Sequence, residues 1–190
     1  MARLTPACGV LLLVLVTGCG AAGPQDVDAP SDVSSATTEV SADHNDTDVA
    51  YAHELTSLHQ QAVDMVAMVA NKRVSGELVD VAAAIGRDRS AEIGELESLL
   101  RAWKVRPHGP DFHGNPGELT MEQLADLYRL DGAAFEQAWL ERMAANHEGA
   151  VAMSRAELDQ GLNLAARELA RRLVKEQQAQ VAQLERLATD

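Results

Sequence analysis

The sequence predicts an all-α protein, a duplicated helical hairpin closing into an up-down four-helix bundle. Three observations lead there. Aromatic residues make up only 3% of the 190-residue chain, while Ala, Leu, Val, Glu and Gln dominate, a balance that favours helices over strands. Apolar residues recur every three or four positions along four long stretches. The chain also repeats itself at an offset of 88: His59, Ala62, Val63 and Met65 match His147, Ala150, Val151 and Met153. The same offset sets Ile85 on Leu173, Ile93 on Val181, Leu96 on Leu184 and Leu99 on Leu187. One register therefore serves both helices of each half. Two such hairpins pack as a bundle with one longer connection between them.

Two segments precede the bundle. Residues 1–18 read as an export signal, with Arg3 as a short positive start and an apolar run from Val10 to Val16. That run is too short to span a bilayer comfortably. Val16-Thr17-Gly18-Cys19 resembles a bacterial lipobox. The resemblance implies cleavage after Gly18, lipid on Cys19, and anchoring to the membrane of a bacterial cell envelope with the domain on the extracytoplasmic side. An ordinary secretory signal, or a helix that stays as an anchor, is the alternative. Cys8 leaves with the signal, so the mature domain keeps no thiol for a disulfide. Residues 19–45 are rich in Ala, Ser, Thr, Asp, Gly and Pro and read as a flexible tether. His44, at its end, reads as solvated.

The bundle domain is assigned to residues 46–190, with repeat halves at about 46–103 and 131–188. Tyr51, Leu55, Leu58, Ala62, Met65 and Val69 predict a first helix from Asp48 to Asn71, which Ser75-Gly76 breaks. Val81, Ile85, Leu96 and Leu99 predict a second from Leu78 to Trp103. Lys104 to Leu119 is a long loop carrying Pro107, Pro110 and Pro116. Thr120 with Gln123 forms a capping-box signature for a short helix, Met121 to Arg129. A third long helix follows from about Asp131 to Asp159. Gly161 ends it, and Leu162 to Leu187 makes the fourth.

The formal net charge of −13 argues against a nucleic-acid partner. Candidate chemistry lies in the repeated His/Met element. Taking Ala150 as the centre of the buried stripe, helical geometry sets His147 roughly 60° to one side and Met153 roughly 60° to the other. Asn146 falls nearer the centre. His59 and Met65 hold the corresponding flanks of the first helix. Glu92 projects among apolar residues of the second helix and needs a partner or a proton. Arg89, one turn earlier, offers one, and His59, His147 or a metal ion offers another. Its counterpart in the fourth helix is Gln180, a poor metal ligand.

The stretch from Gly117 to Met153 carries a family resemblance, in the Leu130-Asp131-Gly132 turn, Phe135, Leu140, Met143 and His147-x-Gly149-Ala150-Val151-x-Met153. It resembles domain-of-unknown-function family 305, exported bacterial proteins with a duplicated, ferritin-like four-helix bundle. The resemblance extends from about Asp48 to the C-terminus and implies copper binding for some members. The family pattern has adjacent histidines before the Ala and a later Gln-x-x-Glu-Ile. Here Leu58 and Asn146 replace the first histidines, and the later motif becomes Arg89-x-x-Glu92-Ile93 and Gln177-x-x-Gln180-Val181.

The ligand set left is His59, His147, Met65, Met143, Met153 and Glu92, whose imidazole and thioether groups suit copper, particularly Cu(I), over magnesium or calcium. Methionines at helical spacing also serve as core filler. Two readings therefore stand: a lipid-anchored envelope protein that binds or buffers copper, and a structural or interaction lipoprotein with a degenerate metal site. His108 and His113 read as solvated or as an extra exposed site. No catalytic role is expected. The chain lacks a di-iron carboxylate set, a Ser/His/Asp arrangement, a phosphate loop and a cysteine nucleophile.

Overall fold

Four long helices and one short one account for most of the residues described, 41–107 and 114–189, in the computed structural model. The signal segment, Cys19, the tether up to residue 40, and His108 and His113 lie outside the described residues. Among the described residues, no helix is long and apolar enough to cross a membrane. The helices are α1 (Asp46–Val69), α2 (Gly76–Ala102), α3 (Met121–Arg129), α4 (Gly132–Gln160) and α5 (Leu164–Leu187).

Each start is set by a short polar side chain. Asn45 and Asp48 form a reciprocal capping box on α1, Ser75 accepts from the Leu78 N–H on α2, and Thr120 with Gln123 caps α3 as its sequence predicts. Asp131 caps α4 and also binds Arg73 at 2.7 Å, tying the α1–α2 turn to the start of α4. Asn163 caps α5 through the N–H groups of Ala165 and Ala166.

The helices pair as two antiparallel hairpins, α1 with α2 and α4 with α5, and α4 lies against α1. Three side-chain contacts give the direction: Tyr51 to Ser154 Oγ, Asn146 to the Leu58 carbonyl, and Trp139 to the Met65 carbonyl. As one helix ascends the other descends, so α2 ends and α4 begins at opposite ends of the bundle, joined by a crossover. This is the single long crossover of a ferritin-like topology. The Asn146–Leu58 bond joins equivalent positions of the two halves, which places the pseudo-two-fold axis at that point. Tyr51 and Trp139, also equivalent, are both buried. Helices α2 and α5 make few backbone contacts, and side chains bridge their seam.

The crossover is held on α4 by backbone proximity. Gly117 has a φ of +82°, and its Cα lies against Gly149. The buried Gln61 amide adds a two-way link, donating to the Leu119 carbonyl and accepting from the Leu119 N–H. His44, read from sequence as solvated, instead stacks on Trp103 with ring centroids 5.0 Å apart. Trp103 caps α2 at the end of the bundle where α1 begins, and His44 is half-buried against it.

That end also holds two buried carboxyl groups. Burial opposes ionisation of Asp48, but backbone N–H groups of Asn45, Asn163 and Leu162 outweigh it and hold its pKa below the usual range. Burial and the neighbouring Asp48 push Glu157 up to about 8. A carboxyl with a raised folded pKa contributes full stability below its unfolded value of 4.5 and loses it as pH rises through about 8. The melting-temperature advantage of Glu157→Gln over the unsubstituted domain should therefore be larger at about pH 8.5 than at about pH 5. A pH-independent difference would show that Glu157 ionises freely.

Candidate metal centre

A polar layer divides the core in two. On one side lie Leu55, Leu58, Leu96, Leu100, Leu169 and Leu173; on the other Met65, Ile85, Phe135, Trp139, Met143 and Leu184. Between them every long helix contributes buried polar groups: His59 from α1, Arg89 and Glu92 from α2, Asn146 and His147 from α4, and Gln177 from α5. The duplication pairs these groups. His59 corresponds to His147, Arg89 to Gln177 and Glu92 to Gln180. The first half supplies a charged pair where the second supplies neutral amides.

Both imidazoles are fully buried, at 0% exposure. The flanking positions read from the helical projection are thus as enclosed as the central ones. Each long helix packs against two neighbours, so its buried arc is wider than one apolar stripe. His59 Nε2 lies 2.9 Å from Glu92 Oε2, and Arg89 Nε lies 3.1 Å from the same oxygen. Both contacts are close but poorly aligned as hydrogen bonds. His59 Nδ1 completes none either. Beside His147 stand the Gln180 amide and the Met143 carbonyl, which favour its protonated form, but neither closes a hydrogen bond of normal geometry.

The electrostatics keep both rings neutral. Burial lowers the His59 pKa well below 6.5, and the Arg89 charge lowers it further. Burial, then Arg89, then His59 act the same way on His147. Glu92 is pushed up to about 7, chiefly by burial and against the pull of Arg89. Neutral imidazole is the form that binds metals.

The six candidate ligands do not share one shell. His59, His147 and Glu92 belong to the polar layer, with the Glu92 pairing to Arg89 and His59 that the sequence allowed. Met65 and Met143 lie in the core cluster on one side and Met153 in the cluster on the other. Met143 is the nearest thioether along the chain, one turn from His147. Sequence reasoning passed over Gln177 as a site residue. It is 1% exposed, and neither atom of its amide finds a hydrogen-bond partner. Its 88-residue match to Arg89 was the available clue.

Among the described residues, no three His, Cys, Asp or Glu side chains converge as a metal-holding group. That donor set is too small for the oxygen-rich shell of magnesium or calcium. Imidazole is a donor that a soft monovalent ion such as Cu(I) or Ag(I) takes, and such an ion accepts as few as two donors.

These features define a duplicated helical bundle with a buried histidine pair at its pseudo-two-fold. The sequence matches the domain of unknown function DUF305 over residues 48–188, and the chain belongs to that family. It is similar to a solved DUF305 fragment from Deinococcus radiodurans, with 23% identity, a TM-score of 0.71, and coverage of 76% of this chain and 97% of that one. A DUF305 protein from Streptomyces coelicolor shows 25% identity and a TM-score of 0.67, with 73% of this chain and 89% of that one covered. CopM in its Cu(I)-bound form shows 24% identity and a TM-score of 0.62, with 73% and 93% covered. No curated protein matches the sequence.

Proposed function

We propose that this protein is a non-enzymatic, copper-binding lipoprotein of the bacterial cell envelope. In this reading it is tethered to the membrane by lipid on Cys19 and buffers Cu(I) on the extracytoplasmic side. The observation that carries the copper reading is the pair of fully buried imidazoles at equivalent positions, His59 and His147, whose ring nitrogens complete no normal hydrogen bonds. Burying such groups with only misaligned contacts costs stability, a cost that a metal ligand role explains. Similarity to CopM, solved in Cu(I)-, Cu(II)- and Ag-bound forms, supports the choice of ion. The Streptomyces coelicolor relative, described as a secreted protein, supports the compartment. The lipobox-like residues before Cys19 support the anchor.

His59 and His147 would hold the ion, with Glu92 balancing its charge and Met143 as an adjacent thioether. A bound Cu(I) would supply no chemistry to a substrate; the domain would enclose it and limit its exchange. Anaerobic competition titration of the mature domain tests the reading. One Cu(I) should bind, and His59→Ala/His147→Ala should weaken it by about a hundredfold or more, as loss of both ligands requires. Equal affinity in the two proteins would end the proposal.

Arg89 favours a second reading, because a buried cation beside the histidines is what a purely structural polar layer can contain. Under that reading the layer fixes helix register and the titration finds no histidine-dependent site. For the anchor, Cys19→Ala should move the full-length protein from the membrane fraction to the soluble extracytoplasmic fraction. Unchanged membrane association would contradict lipid attachment at Cys19.

A further inference from the structure

We propose that Arg89 is a resident cation of the polar layer that sets its selectivity, admitting monovalent ions and rejecting divalent ones. The inference rests on the copper reading and adds a residue that competes with the metal. Arg89 is 1% exposed. Its Nε approaches Glu92 Oε2 at 3.1 Å, the oxygen that His59 Nε2 approaches at 2.9 Å. Its terminal nitrogen donates to Gln180 Oε1 at 3.0 Å, and the Gln180 amide donates in turn to Asp88 at 3.0 Å. The guanidinium thus spans the seam between α2 and α5 and faces the histidine layer.

A guanidinium cannot shed its charge inside a protein, unlike a lysine or a histidine. It already engages Glu92, the one acidic side chain within the layer. Asp88 and Glu176, which flank the seam with Arg172, lie on its exposed side, where solvent screens them. An ion arriving between the imidazoles therefore meets a fixed positive charge that Glu92, whose pKa stands at about 7, offsets only in part. At a separation of about 6 Å and an effective dielectric constant of about 20, one unit charge weakens binding of a monovalent cation by about a hundredfold. The same charge acts twice as strongly, in free energy, on a divalent cation, so the penalty is about the square of that factor. The second half of the duplication shows what a neutral version holds at this position: Gln177, buried to the same extent.

The test is anaerobic titration of the mature domain with Cu(I) and Ag(I), and aerobic titration with Cu(II). Binding is scored as the part lost in His59→Ala/His147→Ala. Arg89→Gln should bind Cu(I) and Ag(I) about tenfold to a hundredfold more tightly, and Cu(II) by about the square of that gain. If Arg89→Gln loses its helical circular dichroism, Arg89→Met provides a second neutral variant. Equal gains for Cu(I) and Cu(II) would overturn the proposal, as would unchanged affinity, while leaving histidine-dependent copper binding intact. Binding seen only in the neutral variants would support Arg89 as the excluding charge and sink copper binding by the natural protein. No binding in any variant would defeat both.

Discussion

Glu92→Leu is expected to destabilise the domain by about 3–5 kcal/mol, the usual cost of leaving one member of a buried ion pair alone. The partner left behind is Arg89, 1% exposed and unable to neutralise itself. Its remaining link within the seam is the bond to Gln180. The reverse substitution should cost less. With Arg89→Met, Glu92 can take up a proton, and its pKa already stands at about 7 with the cation beside it. Removing both in Arg89→Met/Glu92→Leu should recover most of the loss, because apolar replacement of a whole buried pair is often neutral or stabilising. Urea unfolding of the four proteins gives the cycle directly. Equal costs for the two single variants would show that the guanidinium reaches water.

Gly149→Ala is expected to be the most damaging of the conservative changes, costing about 1–3 kcal/mol or more through overpacking. A Cβ at residue 149 would be driven into the Pro116 carbonyl and against the Gly117 Cα, both on the crossover backbone. The crossover cannot simply step away. Gln61 holds Leu119 through two hydrogen bonds, and Gly117 needs its left-handed conformation. Helix propensity alone predicts the opposite sign, a gain of about 1 kcal/mol for alanine over glycine. Gly94 is the control, since nothing lies within 4 Å of an added Cβ there. Gly94→Ala should raise the melting temperature while Gly149→Ala lowers it and speeds proteolysis at residues 104–119. Stabilisation by both changes would mean that the crossover is not packed on α4.

The helices were legible because their stripes are long and their ends carry caps. Thr120 and Gln123 gave α3 its bounds, and the other predicted starts and stops fall within about two residues of those observed. The pairing of Glu92 with Arg89 was legible because i and i+3 positions meet on one helix. The depth of His59 and His147 was not. A single-helix projection measures angle from one stripe, whereas burial depends on two neighbouring helices. The glycine contact between crossover and α4 and the Gln61–Leu119 link escaped for a related reason: they depend on where a long loop lies in space. His44 was misread because its partner, Trp103, is brought near only when α2 ends beside the start of α1. The partition of the methionines followed from the polar layer, whose position emerges only when all four helices are in register.

X-ray absorption at the copper edge of the Cu(I)-loaded domain tests the central claim most directly. The account predicts a shell of two imidazole nitrogens at full occupancy, with at most one added thioether sulfur, and loss of that shell in His59→Ala/His147→Ala. A sulfur-only shell, or a spectrum unchanged when both histidines are removed, would contradict it.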